Sequence, residues 1–292
     1  MVIKQPVVME TAPAPGLLEA MELSNQMLED ITNGVNAYLE KKRLYFPRFF
    51  FLSNDEMLEI LSETKDPLRV QPHLNKCFEG INCLEFDSIL DIHAMISYDK
   101  ERVEFVQIIS TTEARGSVEK WLLRVEEEML KCVANELALS YSSYLLEKRE
   151  QWVTLWPQMI VLCISQVFWA VEVHACLQVR NRSLILSFYE QLIVDLNNIV
   201  ALIRSKTISN LNRITIKALI VIDVHAKDVV NDLIEKRVNS EDDFQWLAQL
   251  RYYWSDGFCL VKIINATVPY ANEYLGNSDR LVCKFKNITN IN

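Results

Sequence analysis

The stretch WPQMIVLCISQVFWAVEVHACL, Trp156 to Leu177, decides the fold class: it holds no Lys or Arg and one acidic residue, Glu172. From Gln151 to Val171 nothing carries a formal charge. A bilayer span needs roughly 20 mostly apolar residues, so length alone permits a membrane helix. Three features argue for a protein interior instead. Gln158, Ser165 and Glu172 recur every seven residues and draw one polar stripe down a helix. Gln166 adds an amide near the centre, where lipid offers no partner. Basic residues show no asymmetry at the flanks, and no other segment reads as comparably long and apolar. The expected state is a core helix surrounded by other helices, with no membrane.

Apolar periodicity supplies the surround. Leu28, Ile31, Val35 and Tyr38 alternate spacings of three and four, predicting a helix over about Leu17 to Lys41. Val118, Leu122, Val125, Met129, Val133 and Leu137 repeat the pattern, with Ser117 after Gly116 as the expected cap. Ile185, Tyr189, Leu192, Leu196, Ile199 and Ile203 do so again, with Ser183 as the candidate cap. Leu211, Ile214, Ala218, Val221, His225, Val229 and Asp232 place a further helix from about Asn210 to Val238. Four long helices thus run from Ser117 to Val238.

Strand-like stretches bracket them. Tyr45 to Leu52 (YFPRFFFL) is aromatic-rich and reads as extended, with Ser53 or Asn54 capping a short helix from Asp55 to Leu61. Ile89 to Ile109 alternates around Tyr98-Asp99-Lys100, predicting a hairpin, and Leu250 to Val268 is β-like around Ser255-Asp256-Gly257. The fold class is therefore mainly α: helical bundles with small β elements in the N-terminal third and at the C-terminal end.

Composition narrows function. A formal charge of −9 over 292 residues, with no dense basic run, argues against nucleic acid as a partner. Seven cysteines without a CxxC pair read as free thiols in a reducing compartment. Only six glycines are present, and neither GxxxxGK[ST], GxGxxG nor GxSxG occurs. Without clustered backbone N–H groups there is no phosphate cradle, so no cofactor is expected. The sharpest catalytic-looking cluster is Asp223-Val-His225-Ala-Lys-Asp228. On a helix only His225 and Asp228 are neighbours, and two ligands make no metal site, so a structural pair is expected and no metal. Trp121, Trp152, Trp156 and Trp169 read as core anchors.

Longer motifs carry a resemblance. FPRFFFLSNDEMLEIL (Phe46 to Leu61), HLNKCFEGINCLEF (His73 to Phe86), WLLRVEEEM (Trp121 to Met129) and WPQMIVLCISQVFWAVEV (Trp156 to Val173) occur in order. ITIKALIVIDVHAKDVV (Ile214 to Val230), DFQWLAQLRYYW (Asp243 to Trp254) and YANEYLGNSDRLV (Tyr270 to Val282) follow. Over about Leu17 to Val282 the chain resembles the linker region of dynein heavy chains, closer to the axonemal than to the cytoplasmic type. The motif positions are Phe46, Phe50, Phe78, Trp121, Trp156, Pro157, Gln166, Trp169, His225, Asp228, Trp246, Arg251, Tyr252 and Tyr253.

The resemblance implies an elongated helical arm lying across a ring of AAA+ ATPase modules, bending and straightening as ATP and Mg are processed. The implied partners are that ring and, through a complete heavy chain only, intermediate and light chains and microtubules. The implied location is cytoplasm, cytoskeleton and ciliary axoneme. It also divides the chain into a disordered tail at 1–16, a linker over 17–249 with a β insert near 84–109, the start of the first AAA+ module over 250–282, and a divergent tail at 283–292. Tyr274, Leu275 and Gly276 are weak candidates for the margin of an adenine pocket. Since P-loop and Walker B residues are missing, the chain is expected not to be an enzyme by itself. A non-catalytic lever segment and a stand-alone module docking on dynein or axonemal partners both remain open. The segment from Leu250 onward is expected to fray, because a strand there would lack its usual neighbours.

Overall fold

The computed structural model describes residues 15–62, 66–112, 117–205 and 208–277. The expected tails therefore fall mostly outside the described residues, as do Gly116 and Cys283. The described chain is mainly α with two small three-stranded antiparallel sheets, and it divides into two compact units, Met1–Glu63 and Thr64–Asn292.

The first unit holds α1 (Leu17–Tyr45) and α2 (Asn54–Ser62). Helix α1 is longer than its periodicity predicted, and its apolar stripe is mostly uncovered: Leu28 and Ile31 are 61% and 62% exposed and only Leu39 is buried. The aromatic stretch after it is not a strand. Pro47–Phe51 forms a 3₁₀ turn. Pro47 opens this turn, where its fixed φ and missing N–H cost nothing, whereas in a strand it would remove a ladder bond. Burial then follows a period of three, with Phe46, Phe49 and Leu52 inside and Phe50 and Phe51 outside. Phe46 and Phe49 meet edge to face at 5.0 Å. Helix α2 begins with a reciprocal cap. The Ser53 N–H donates to the Glu56 carboxylate at 2.9 Å and the Glu56 N–H donates to Ser53 Oγ at 3.3 Å.

The second unit opens with a 3₁₀ turn, Pro67–His73, and α3 (Leu74–Cys77), followed by β1 (Cys83–Phe86), β2 (Ile92–Ile96) and β3 (Arg102–Ile109). The expected hairpin is β2–β3, and β1 pairs outside β2. Gln71 braces the free edge of β1: its amide donates to the Leu84 carbonyl and accepts from the Leu84 N–H, at 2.8 and 2.9 Å.

Helices α4 (Val118–Tyr144), α5 (Arg149–Trp152), α6 (Gln158–Gln178), α7 (Arg182–Ile203) and α8 (Asn210–Glu235) follow, then α9 (Phe244–Leu247). All six stripe residues predicted for α4 are buried, each contributing about 1.5–3 kcal/mol of transfer free energy. Helix α6 is the segment that opened the sequence analysis. Thirteen of its 21 residues are buried, among them Gln158 and Ser165, while Glu172 emerges at the surface. It packs against α4, α7, α8 and β4. Among the described residues two helices have the length and hydropathy to cross a bilayer, α6 and α7, so the expectation of a single such segment is corrected. They differ in burial, 61% of the apolar window for α6 and 11% for α7.

Three helix details also differ from expectation. Ser117 sits at the N-cap of α4 but its side chain makes no cap bond. The cap of α7 is Asn181, which accepts from the Ser183 N–H at 3.0 Å. On α8 the buried residues are Thr215, Ile216, Leu219, Ile222, Ala226, Val229, Val230 and Leu233; of the predicted stripe only Val229 is among them, and the rest of the buried face lies about one residue out of phase. Apolar residues line more than one row of this helix, so the packing neighbours, not the local pattern, select the row that is buried.

The chain closes with β4 (Arg251–Ser255), β5 (Phe258–Ile263) and β6 (Ala266–Pro269), a meander turning at Ser255-Asp256-Gly257 as predicted. Its ladder is internal: β4 pairs with β5, β5 with β6, and β4 packs on α6. Each strand therefore has at least one ladder partner within the chain, while β4 and β6 are edge strands and Phe258, Ile263, Ile264 and Val268 are exposed.

Candidate functional site

The residues that converge most closely lie where the last described segment meets the β2–β3 turn. That turn is closed by the Ser97 N–H on the Glu101 carbonyl at 2.9 Å and by the Glu101 N–H on Ser97 Oγ at 3.1 Å. Its geometry turns the Glu101 side chain inward, where the residue is 4% exposed. One carboxylate oxygen accepts from the Gln158 N–H at the start of α6 at 2.8 Å, and the other accepts from the Tyr274 hydroxyl at 2.7 Å. The Asn277 amide, its nitrogen turned toward the carboxylate, reaches both oxygens at 2.9 and 3.0 Å. Glu101 therefore ties three remote parts of the sequence together, and its charge faces the positive end of α6.

Burial raises the Glu101 carboxyl above its ordinary range, against the opposing pull of the Gln158 N–H and the Tyr274 hydroxyl. The Tyr274 phenol is driven upward as well, first by burial and then by the adjacent Glu101 charge. The Tyr274 hydroxyl thus donates to a Glu101 carboxyl whose proton affinity burial raises.

Two of the six glycines complete the junction. A Cβ on Gly80 would lie 2.3 Å from the Tyr274 carbonyl oxygen. Gly276 has φ +61°, and a Cβ there would come within 2.9 Å of the Ser97 Cβ. The 274–277 segment thus lies backbone to backbone against the residues preceding β1. Tyr274, Leu275 and Gly276 are brought to this seat, Tyr274 buried with its hydroxyl engaged.

A second set of predicted positions converges under α6. The Trp169 and Trp246 rings meet edge to face at 5.5 Å, and the Arg251 guanidinium lies 5.7 Å from the Trp246 ring centre. His174 Nε2 lies 2.8 Å from the Glu241 carboxylate, and its ring stands edge-on to Tyr253. Tyr252 faces Tyr270. Trp254, Tyr141, Phe168, Tyr144 and Trp152 form an aromatic column with successive centroids 4.9, 5.2, 4.0 and 4.8 Å apart, joining β4, α4, α6 and α5.

Other predicted positions are placed singly. Phe78 and Trp121 are buried, Trp156 and Pro157 are half-buried at the entry to α6, Gln166 is half-buried within it, and Phe50 is exposed in the first unit. His225 and Asp228 are half-buried on α8, with Asp228 3.0 Å from Lys227 Nζ. Asp223, weighed in sequence as a ligand, instead takes Arg149 Nη2 on both oxygens at 2.7 and 2.9 Å, pinning α5 to α8. Burial raises the Asp223 carboxyl, opposed by the Arg149 charge. No group of three metal-ligating side chains occurs among the described residues.

Glu101, Asn277, Gly80 and Arg149 were missed in sequence. For Gly80 the scarcity of glycine was a signal, although Gly16, Gly34 and Gly257 have open space around them; a glutamate at a turn looks like any solvated one.

A family profile described as "Dynein heavy chain, N-terminal region 2" matches residues 1–140. The chain is 56% identical over 279 residues to dynein axonemal heavy chain 12 of Mus musculus, covering 96% of this chain and 9% of that one. It is 50% identical over 280 residues to dynein axonemal heavy chain 3 of Homo sapiens, with 96% and 7% covered. Against dynein axonemal heavy chain 1 of Rattus norvegicus the identity is 44% over 266 residues, with 91% and 6% covered. The chain thus spans less than a tenth of the length of these relatives. With such identity over nearly all of its own length, the chain belongs to the axonemal dynein heavy chain family.

Proposed function

We propose that the chain is a mechanical segment of a ciliary dynein heavy chain, the lever that couples a ring of ATPase modules to movement along microtubules. It binds no ATP and no metal by itself, and it acts when continuous with the ring. The observation that supports this reading best is the Glu101 junction. A lever must transmit displacement from its far end, and here the 274–277 segment is fastened to the β2–β3 turn and to the head of the core helix through one buried carboxylate. Close-packed joints of this kind transmit strain rather than absorbing it. The axonemal location and the partners (the ring directly, intermediate and light chains and microtubules through the complete heavy chain) rest on the family.

The test is a complete axonemal heavy chain carrying Glu101→Ala with Tyr274→Phe. Loss of the joint is expected to slow microtubule gliding while ATP turnover persists. Equal loss of both, or of neither, overturns the lever reading. With the chain alone, millimolar ATP–Mg should leave the melting temperature unchanged, since binding to the native state would raise it.

The uncovered stripe of α1 favours a second reading, a stand-alone product that docks on a dynein motor. Saturable binding of the purified chain to a motor lacking its own linker supports that reading, and no binding removes it.

A further inference from the structure

The end of the helical body away from the Glu101 junction holds a cavity of about 290 Å³, between the C-termini of α6 and α8 and the start of α7. Its floor is apolar, with Leu177, Ile185 and Ile234, and its rim carries Arg180, Arg182 and Arg237. No acidic side chain lines it. Among the described residues, none of the three guanidinium groups forms an ion pair. In a chain of formal charge −9, this local cationic cluster runs against the whole.

The backbone gives a second observation. Arg180 and Arg237 occupy left-handed conformations, φ 54° and 57°, just past the ends of α6 and α8. At α8 the Val238 N–H returns to the Leu233 carbonyl and the Arg237 N–H to Ile234, the closure that normally recruits glycine. At α6 the Arg180 N–H returns to Leu177 in the same way. A cation anywhere in the last turn would serve the helix dipole, so the dipole does not explain arginine at the one position where a side chain is strained. Two of the seven left-handed non-glycine residues among those described thus flank one cavity, and both are arginines.

We propose that this cavity docks a partner protein through a peptide segment that alternates apolar and acidic side chains. The apolar side chains enter between Leu177, Ile185 and Ile234, and the carboxylates meet the guanidinium forks, whose planar donors fit a carboxylate in pairs. An inorganic anion would use the rim alone and leave the floor empty.

A fluorescein-labelled peptide of alternating Leu and Glu, titrated with the full chain and read by polarisation, tests the proposal. Saturable binding is expected, lost when Gln replaces each Glu and weakened by added salt. Arg180→Gly with Arg237→Gly removes two charges and relieves the left-handed strain. It should therefore melt no lower than the wild type while weakening the peptide about tenfold. Arg182→Gln, on regular helix, gives an independent loss of charge and should weaken the peptide too. Failure of the peptide to bind, or equal binding by wild type and variants, overturns the proposal. So does inorganic pyrophosphate binding at the cavity while the peptide does not.

Discussion

The Tyr274 hydroxyl donates to the Glu101 carboxylate at 2.7 Å although 173 positions separate the two residues. The acceptor is buried and also takes the Gln158 N–H and the Asn277 amide, so removing it strands three polar groups at once. Glu101→Ala is expected to cost about 3–5 kcal/mol. Tyr274→Phe, which deletes one donor and no volume of note, should cost about 1–3 kcal/mol. Denaturant titration of the two single variants and the double would give the coupling.

The same residue sets a pH dependence. Its folded pKa is raised by burial, so between the ordinary carboxyl value of about 4.3 and the raised one the native state binds more protons than the unfolded chain. The contribution of Glu101 is then most favourable in acid and declines as pH rises through that window. Asp223, and Glu136 beside Glu104, are raised by burial in the same sense. As pH falls through that window the wild type should gain stability relative to Glu101→Gln, read from the melting temperatures of the two proteins side by side. A difference between them that did not change with pH would contradict the assignment.

The glycine contacts give a sharper local test. Gly80→Ala would drive a methyl to 2.3 Å from the Tyr274 carbonyl oxygen, a backbone atom with no rotamer to yield. Overpacking of this kind costs about 1–3 kcal/mol and should lift the 274–277 segment from its seat. Gly34→Ala, with open space around it, serves as the control and should be neutral to mildly stabilising on its helix. Hydrogen exchange would read the difference: faster exchange confined to the chain end in the first variant, none in the second.

How far the sequence carried this fold depends on which contacts decide each element. A period-3.6 stripe located the start and the buried face of α4, and the uncharged apolar run located the core helix α6, because burial against sequence neighbours leaves a local pattern. The α8 stripe was mis-phased, since two apolar rows were available and only the packing of α6 and α7 selects between them. At Pro47 the aromatic content suggested a strand, and the missing N–H prevailed. The Glu101 junction was hidden, as a carboxylate partnered by a phenol far along the chain leaves no local pattern. Asp223 was set aside as a ligand, but its ion pair was not legible, because its partner Arg149 lies 74 residues away.

That ion pair supports the next prediction. Arg149 and Asp223 are only 19% and 12% exposed, so either charge alone would be stranded in a poorly solvated site. Arg149→Met or Asp223→Leu singly should cost about 3–5 kcal/mol, while the double change to apolar residues recovers most of the loss. Additive losses in the double variant would mean that the two groups do not act as a pair.

Thiol chemistry checks the interior independently. Cys132 is buried, its Sγ 2.7 Å from the Glu104 carbonyl oxygen, and burial together with Glu136, Glu128 and Glu104 pushes its pKa up to about 12. Since the thiolate is the nucleophile, iodoacetamide at pH 8 should leave Cys132 unmodified in the folded chain and modify it after denaturation. Mass spectrometry of the two samples would show it. Labelling of native Cys132 at the rate of a free thiol would place α4 wrongly.

The last prediction returns to the segment that decided the fold. Trp169 is 7% exposed in α6 and belongs to a cluster with Ala170, Val173, Ile185, Val230, Leu233 and Trp246. Truncation to alanine removes the largest side chain type from a site whose neighbours come from three other helices, so collapse into the void is limited. Trp169→Ala should cost about 3–5 kcal/mol by lost transfer energy and cavity formation. Trp169→Phe should be milder, because the indole N–H has no hydrogen-bond partner among the described residues and its loss strands nothing. A membrane-facing helix would behave otherwise, since lipid fills the space that a truncation leaves. Were Trp169→Ala as stable as the wild type in detergent-free buffer, α6 would not be the core helix described above.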